Sequence, residues 1–372
     1  MKRIIINGAN GYVASNFINE LLKHNYEIVA LVRGNESASA ENRVIQALNH
    51  INNGDNPSLD NLEIVNYSLL EKNFGLTGDL LQEIFSTDVD YFHFAASLKY
   101  DQKSKDELLA VNVGGVENSV NLFSAFASAD SRFFFVGTAY SCGKTKEIFE
   151  EKFYPDQDIS AFRNYYEWSK RMAENVVKQH IDNNGLNGHV VRLSQVAGDN
   201  RTGITKTDYG IFDFSKRVYK LARRHPESKV RAKISPIGTQ NLIPINVAVG
   251  YLLQTTNNQS VPRIMNFVAN EPVKNSYIIN SLKKLMPLDI VPVPELEHSQ
   301  MNSLERLMAV GMSFTGNYTN IDIQFDTSQR DEVMTPADDC MDEPTVYRML
   351  DYFIENSFKN NRTREKIPME NQ

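Results

Sequence analysis

A short apolar run, Arg3-Ile4-Ile5-Ile6-Asn7, leads straight into Gly8-Ala9-Asn10-Gly11-Tyr12-Val13-Ala14, and Phe17, Ile18, Leu21 and Leu22 then recur at helical spacing. This order of buried strand, glycine turn and helix restricts the possible folds more than any other feature of the chain. Gly8-x-x-Gly11-x-x-Ala14 is a variant of the dinucleotide fingerprint. The first glycine permits a tight turn and the second lets backbone approach a pyrophosphate. The small third residue lets the helix lie close to the strand, with its N–H groups and positive end toward the anion. Glycines at such a turn can also be purely geometric, so the context has to decide.

The context repeats the theme. Glu27 to Val32, Leu62 to Val65, Asp90 to Ala95 and Arg132 to Val136 are further apolar runs, with helical segments such as Glu83-Ile84-Phe85 and Val120 to Ala127 between them. Strands alternating with helices predict an α/β fold of the Rossmann type, a doubly wound parallel sheet with right-handed crossovers. A chain of 372 residues has room for about two domains at roughly 150 residues each. After Gly198 the texture becomes polar and basic, then proline-bearing and Met-rich. The expected division is a nucleotide-binding domain over 1–200 and 236–270, with a smaller, discontinuous C-terminal substrate lobe over 201–235 and 271–358. A flexible tail is expected over 359–372.

Composition narrows the partners. Apolar residues are 41% and charged residues 23% of the chain, ordinary globular usage that excludes a disordered or fibrous protein. The net charge of −7 argues against nucleic acid. No apolar run approaches the ~20 residues of a membrane span. Met1 to Ile6 resembles the start of a signal peptide, but polar residues interrupt it at once and no cleavage site follows. Cys142 and Cys340 are too few for a disulfide framework or a zinc cluster. A cytoplasmic protein is expected.

Two local patterns bear on chemistry. The second strand ends Leu31-Val32-Arg33-Gly34, with Arg43 ten residues on and no carboxylate before Glu36. An acidic residue there would accept from the ribose of NAD, whereas a guanidinium suits a 2′-phosphate, so NADP(H) is the expected cofactor. Farther on, Tyr166-Glu167-Trp168-Ser169-Lys170 sets a phenol and an ammonium at i and i+4, on one helix face. A nearby cation favours phenolate and makes tyrosine a usable proton donor near neutral pH. Thr138 ends a strand in Val136-Gly137-Thr138-Ala139-Tyr140, at the edge where ligands of open α/β sheets bind. Asn112, in Val111-Asn112-Val113-Gly114-Gly115, completes the set.

Together these motifs resemble the extended short-chain dehydrogenase/reductase superfamily. Within it the chain is similar to thioester reductase domains of carboxylic acid reductases and nonribosomal peptide synthetases, and to fatty acyl-CoA reductases. The narrower likeness rests on Leu31-Val32-Arg33 with Glu41-Asn42-Arg43, Phe74-Gly75-Leu76, Gly137-Thr138-Ala139-Tyr140 and Gly198-Asp199-Asn200-Arg201-Thr202-Gly203, over roughly residues 1 to 270. The resemblance implies Tyr166 as proton donor, Thr138 as carbonyl-binding hydroxyl, Lys170 on the nicotinamide ribose and Asn112 in a proton relay. It places Ala139 and Tyr140 with Thr138 at the substrate. Gly8, Asn10, Gly11, Tyr12, Val13, Arg33, Arg43, Ser68, Leu69, Ala95, Ala96 and Ser97 fall at the cofactor, with Tyr166 and Lys170. The chain departs from the pattern at Tyr67-Ser68-Leu69, where Gly-Asp-Leu is usual, and at Gly115-Val116, where Gly-Thr is usual.

What the resemblance implies is an NADPH-dependent reductase of an acyl thioester, giving either aldehyde or, with a second hydride, alcohol. The substrate would arrive on a separate carrier protein or on coenzyme A. The alternatives are an epimerase, dehydratase or ketoreductase of the same superfamily, or a non-catalytic NADP-sensing regulator. Elsewhere blander readings hold. His93 is expected to be a packed imidazole, Cys142 no nucleophile, and Met301, Met308 and Met312 adaptable core or pocket lining. Scattered histidines offer no metal set. Lys216, Arg217, Lys220, Arg223 and Arg224 form either a solvated helix face or a greeting surface for an anionic carrier.

Overall fold

The structure, a computed structural model, describes residues 2–52, 54–312 and 315–359. Of the tail expected over 359–372, all but Lys359 lies outside the described residues. The chain forms two compact units. The first takes residues to Ser194, Ala248–Val268 and Gln324–Ala337; the second takes Gln195–Val247, Ala269–Ile323 and the chain from Asp338.

The first unit is built on a seven-stranded sheet. Its strands are β1 (Lys2–Asn7), β2 (Tyr26–Val32), β3 (Leu62–Asn66), β4 (Val89–His93), β5 (Arg132–Thr138), β6 (Gly188–Leu193) and β7 (Ile264–Phe267). Their order is β7-β6-β5-β4-β1-β2-β3, and every pairing is parallel. This is the Rossmann-type doubly wound sheet expected from the alternating pattern. The strand order reverses between β1 and β4, which opens a crevice at their carboxyl ends. The turn after β1 and the exits of β4 and β5 lie along that edge of the sheet.

Burial explains why these runs are strands. All of β4, β5 and β6 is buried, whereas β3 at the sheet edge alternates between burial and exposure. Aromatic pairs lock β4 to β5 in register. Tyr91 lies opposite Phe133 and Phe92 opposite Phe134, stacked with ring centroids 5.3 and 4.6 Å apart. Three helices matter for the site: α1 (Tyr12–Leu21), α2 (Ala40–Asn52) and the long α3 (Tyr165–Asn184). Asn164 caps α3 by accepting from the Glu167 amide at 3.0 Å, and Gly185 ends it in a left-handed turn.

The second unit has its own core of helices Ile211–Arg224, Asn275–Leu285 and Glu343–Ile354 with the parallel pair Ser228–Ala232 and Leu288–Pro292. Phe212, Val218, Leu221, Leu282, Met349 and Phe353 are buried there, as are Met308 and Met312.

The division differs from the expected one in four places: residues 195–200 and 269–270 fall in the second unit at its borders, and two longer stretches change sides. Residues 236–247 join the second unit, because Thr239–Gln240 pairs with Val273–Lys274 and Leu242–Ile243 with Gln195–Val196. Residues 324–337, expected in the substrate lobe, join the first unit because Phe149 exchanges backbone hydrogen bonds with Gln324 and Asp326. Among the described residues no helix is long and apolar enough to cross a membrane.

Candidate active site

The glycine turn has the form its sequence implies. Gly8 sits at φ +63°, and a Cβ there would lie 2.8 Å from the Ala95 amide nitrogen. Only glycine suits that turn, since β1 and the exit of β4 meet at backbone distance. The Gly11 amide donates to the Gly8 carbonyl at 2.9 Å, and α1 starts directly afterwards. Its first turn carries no carboxylate and Gly11 offers no capping side chain, so the positive helix end is left for an external anion. The turn of Gly8, Asn10, Gly11, Tyr12 and Val13 has a form that a dinucleotide pyrophosphate would fit.

Asn7, at the end of β1, holds this turn from beneath. Its Oδ1 accepts from the amides of Phe94 and Ala95 at 2.8 and 2.9 Å. Its Nδ2 therefore faces Tyr91 Oη at 3.0 Å and His93 Nδ1 at 2.9 Å. His93 Nε2 meets the Ala95 carbonyl at 3.0 Å, which can only accept, so the ring proton resides on Nε2. Burial, helped by Lys170, lowers the His93 pKa to about 3. His93 is thus a neutral structural imidazole. Sequence reading passed over Asn7 as a strand end; a polar residue closing an apolar run was the available signal.

At the end of β2, Arg33 is exposed and its carbonyl accepts from the Arg43 guanidinium, which α2 presents. The two arginines are thus brought together, with Arg43 committed to backbone. Asn66 accepts from the Gly34 amide at 2.8 Å, and no acidic side chain does so. Buried Tyr67 occupies the place after β3. Burial holds its phenol well above the usual range, opposed by the Gly8 backbone and the Arg33 charge. Ser68 and Leu69 follow, half-buried. Leu69 accounts for the glycine at 115, where the chain keeps the family pattern: a Cβ there would come within 2.7 Å of its Cδ2.

Of the four residues singled out for chemistry, Asn112 and Lys170 are tied by hydrogen bonds to α3 and to β5, the elements that carry Tyr166 and Thr138. Asn112 lies in a π-helical turn, Leu109–Gly114, of the kind that recurs at functional sites. Its Oδ1 accepts from the Ser97 amide at 2.7 Å, while its Nδ2 donates to the Ser97 carbonyl at 3.1 Å and to Ser169 Oγ at 2.9 Å. Ser169 stands on α3 beside Lys170. Buried Lys170 donates to the Val136 carbonyl at 3.0 Å, two residues before Thr138, and lies over the Phe135 ring. Burial lowers its pKa to about 7, against the pull of Glu174. Tyr166 is one turn earlier on the same helix face. Thr138 Oγ1 accepts from the Tyr140 amide at 3.2 Å and so starts the turn Ala139–Cys142. Ala139 is buried and Tyr140 half-buried. Burial pushes the Cys142 thiol up to about 12, so no thiolate forms near neutral pH. Ser169 went unremarked in the sequence, hidden inside Tyr-x-x-x-Lys.

The Gly198 to Gly203 segment, in the second unit, is a tight knot. Asp199 Oδ1 accepts from the amides of Arg201 and Thr202 at 2.8 and 3.0 Å, and Asn200 exchanges bonds with Asn246. Among the described residues no cluster of three or more His, Cys, Asp or Glu side chains could hold a metal.

Residues 6–249 match an NAD-binding family described as male sterility protein. The chain belongs to this family. It is an oxidoreductase family of the extended short-chain dehydrogenase/reductase type, so the protein is an enzyme with a nicotinamide-dinucleotide-binding domain. The nonribosomal peptide synthetase asaC of Aspergillus flavus is 25% identical over 300 residues, covering 77% of this chain and 28% of the synthetase. The L-2-aminoadipate reductase large subunit of Candida glabrata is 24% identical over 263 residues, 65% of this chain and 18% of that protein. The chain therefore spans less than a third of either relative. In fold it is similar to the terminal R domain of the myxalamid pathway, with TM-score 0.78, 18% identity and coverage of 96% of this chain and 92% of that one. The NAD complex of UDP-glucuronic acid 4-epimerase from Bacillus cereus follows at TM-score 0.65, 13% identity, and coverage of 95% and 97%.

Proposed function

We propose that this protein is an NADPH-dependent reductase of acyl thioesters, delivering an aldehyde. The observation that carries the reading is that Asn112 is bonded to the helix of Tyr166 and Lys170, and Lys170 to the strand that ends in Thr138, beside a turn suited to pyrophosphate. The sequence relatives support it, two of them being named as L-2-aminoadipate reductases. A bound nicotinamide dinucleotide supplies hydride to the thioester carbon. The residues of the chain do the rest. Thr138 and Tyr166 hydroxyls stabilise the oxyanion that develops on the carbonyl oxygen, and Tyr166 gives it a proton. The thiohemiacetal then loses thiol to leave aldehyde. Lys170 holds the ribose and, in its protonated form, places positive charge one helical turn from Tyr166, while Asn112 keeps the α3 face in register with Ser97.

Arg33 is the residue we assign to a 2′-phosphate, since it ends β2 exposed and no carboxylate competes there. Ser68, Leu69, Ala95, Ala96 and Ser97 are assigned to the adenine and ribose side. The acyl group is presented on a separate carrier protein or on coenzyme A.

Mixing the protein with NADPH and a panel of acyl-coenzyme A and carrier-bound thioesters tests the reading. Thioester-dependent loss of NADPH absorbance, with aldehyde trapped by a hydrazine, is the expected result. No oxidation with any thioester, together with turnover of a nucleotide sugar, would replace it with the epimerase alternative. The Tyr166→Phe enzyme should retain its fold and lose about 10²–10⁴-fold in turnover.

A further inference from the structure

Residues 324–337 leave the second unit in sequence and return to it, yet they belong to the first unit. This strap is bound at many places. Phe149 donates its amide to the Gln324 carbonyl at 2.9 Å and accepts from the Asp326 amide at 3.1 Å, so Phe325 lies between two backbone bonds. Glu151, buried behind it, accepts from the amides of Asn266, Gln329 and Arg330 at 2.6, 2.6 and 3.2 Å. Asn266 Nδ2 donates to the carbonyls of Phe149 and Asp326 at 3.1 and 2.8 Å. Farther along, the Thr335 amide donates to Gln254 Oε1 at 2.7 Å. The Phe149 ring is itself fixed by Arg192, whose guanidinium carbon lies 4.3 Å from its centroid.

A segment held so firmly delivers one aromatic side chain to the site. Phe325 meets Tyr140 edge to face, ring centroids 6.1 Å apart, and the Tyr140 amide is the donor on Thr138 Oγ1. Both rings are half-buried, so both keep surface that the protein itself does not cover. We propose that Phe325 is a specificity-determining residue, which with Tyr140 forms the wall limiting the acyl group that can lie beside Thr138. This rests on the thioester-reductase reading. The strap's bonds to Glu151 and Phe149 serve to hold that wall still, because a hydrophobic limit discriminates only if it does not yield.

The test compares acetyl, butanoyl, hexanoyl and octanoyl thioesters of N-acetylcysteamine with the intact protein and with Phe325→Ala and Phe325→Trp. Removing the ring should raise kcat/KM for octanoyl relative to acetyl by about 10-fold or more, carried by KM. The tryptophan variant should shift the ratio the other way. NADPH affinity and the thermal unfolding midpoint of the tryptophan variant should stay those of the parent, which a general loss of structure would not leave unchanged. An unaltered ratio in two folded, active variants would overturn the proposal while leaving the thioester reading intact. A parent enzyme inert toward every thioester would overturn both.

Discussion

Asn112 Nδ2 lies 2.9 Å from Ser169 Oγ, joining a π-helical turn to the helix that carries Tyr166 and Lys170. The same side chain holds both the amide and the carbonyl of Ser97. It thus ties the α3 face to the segment leaving β4, on which we place the cofactor. Replacing Asn112 by alanine strips the Ser97 peptide of both partners at a part-buried place. The expected loss is about 1–3 kcal/mol of stability and a fall in kcat. Ser169→Ala removes only one of the three bonds and should cost less in both. Urea unfolding and NADPH oxidation measured on the two variants check this; equal effects would mean that the Ser97 contacts carry no weight.

Lys170 gives the free protein a pH signature. Burial lowers its pKa from 10.5 to about 7. Below about 7 the folded and unfolded chains both hold the proton, and the burial penalty on the charge is fully present. Between about 7 and 10.5 the unfolded chain binds the proton and the folded one does not. Stability therefore rises with pH across that window, by at most about 1.4 kcal/mol per unit from this group. Denaturation midpoints measured across it should climb in the parent and climb less steeply in Lys170→Met. Parallel pH profiles for the two proteins would show that Lys170 keeps its proton when folded.

Arg33 decides the cofactor in our reading. Arg43 donates to the Arg33 carbonyl, which fixes the backbone while leaving the Arg33 side chain exposed. Arg33→Ala should then weaken NADPH by a charge-assisted contact, about 1.5–3 kcal/mol, and leave NADH nearly as before. Arg43→Ala should act more weakly and on both cofactors, through the loop. Titration of each cofactor against the two variants separates these effects; equal affinity of the parent for NADPH and NADH would refute the assignment.

The parts of this molecule that were legible in its sequence share one property: their signals are local. β1, β2 and β5 each carry an apolar run of at least three residues because both of their faces are covered. Tyr166 and Lys170 are readable because helical spacing puts them on one face. β6 was hidden because His189 and Arg192 interrupt it, as though it were surface. Arg192 is nevertheless fully buried, satisfied by Glu174 on α3 and by the carbonyls of Glu150 and Lys152. Asn7 and Ser169 act through partners that lie far away in the chain, at Phe94 and Asn112. The strap was least legible, since its register is set by backbone amides meeting one buried carboxylate, and amides leave no trace in residue identity.

Delivery of the substrate can be tested on the second unit's basic helix. Lys216 and Arg217 are engaged by Asp208 and Asp213 at 3.0 and 2.9 Å. Among the described residues, Lys220, Arg223 and Arg224 have no such acidic partner and are exposed on the face opposite Phe214, Val218 and Leu221. In an acidic chain, that is a concentrated positive surface able to steer an anionic carrier protein into encounter. Converting Arg223 and Arg224 to glutamate should lower kcat/KM for a carrier-bound acyl thioester, most at low salt. Both residues also sit in the last helical turn, where a negative charge opposes the helix dipole at a cost of about 0.3–1 kcal/mol. The short N-acetylcysteamine thioester, which has neither protein nor phosphate to dock, distinguishes the two effects. Loss on the carrier-bound substrate alone supports docking, whereas equal loss on both reports damage to the unit. Undiminished turnover of both substrates would show that water alone meets this face.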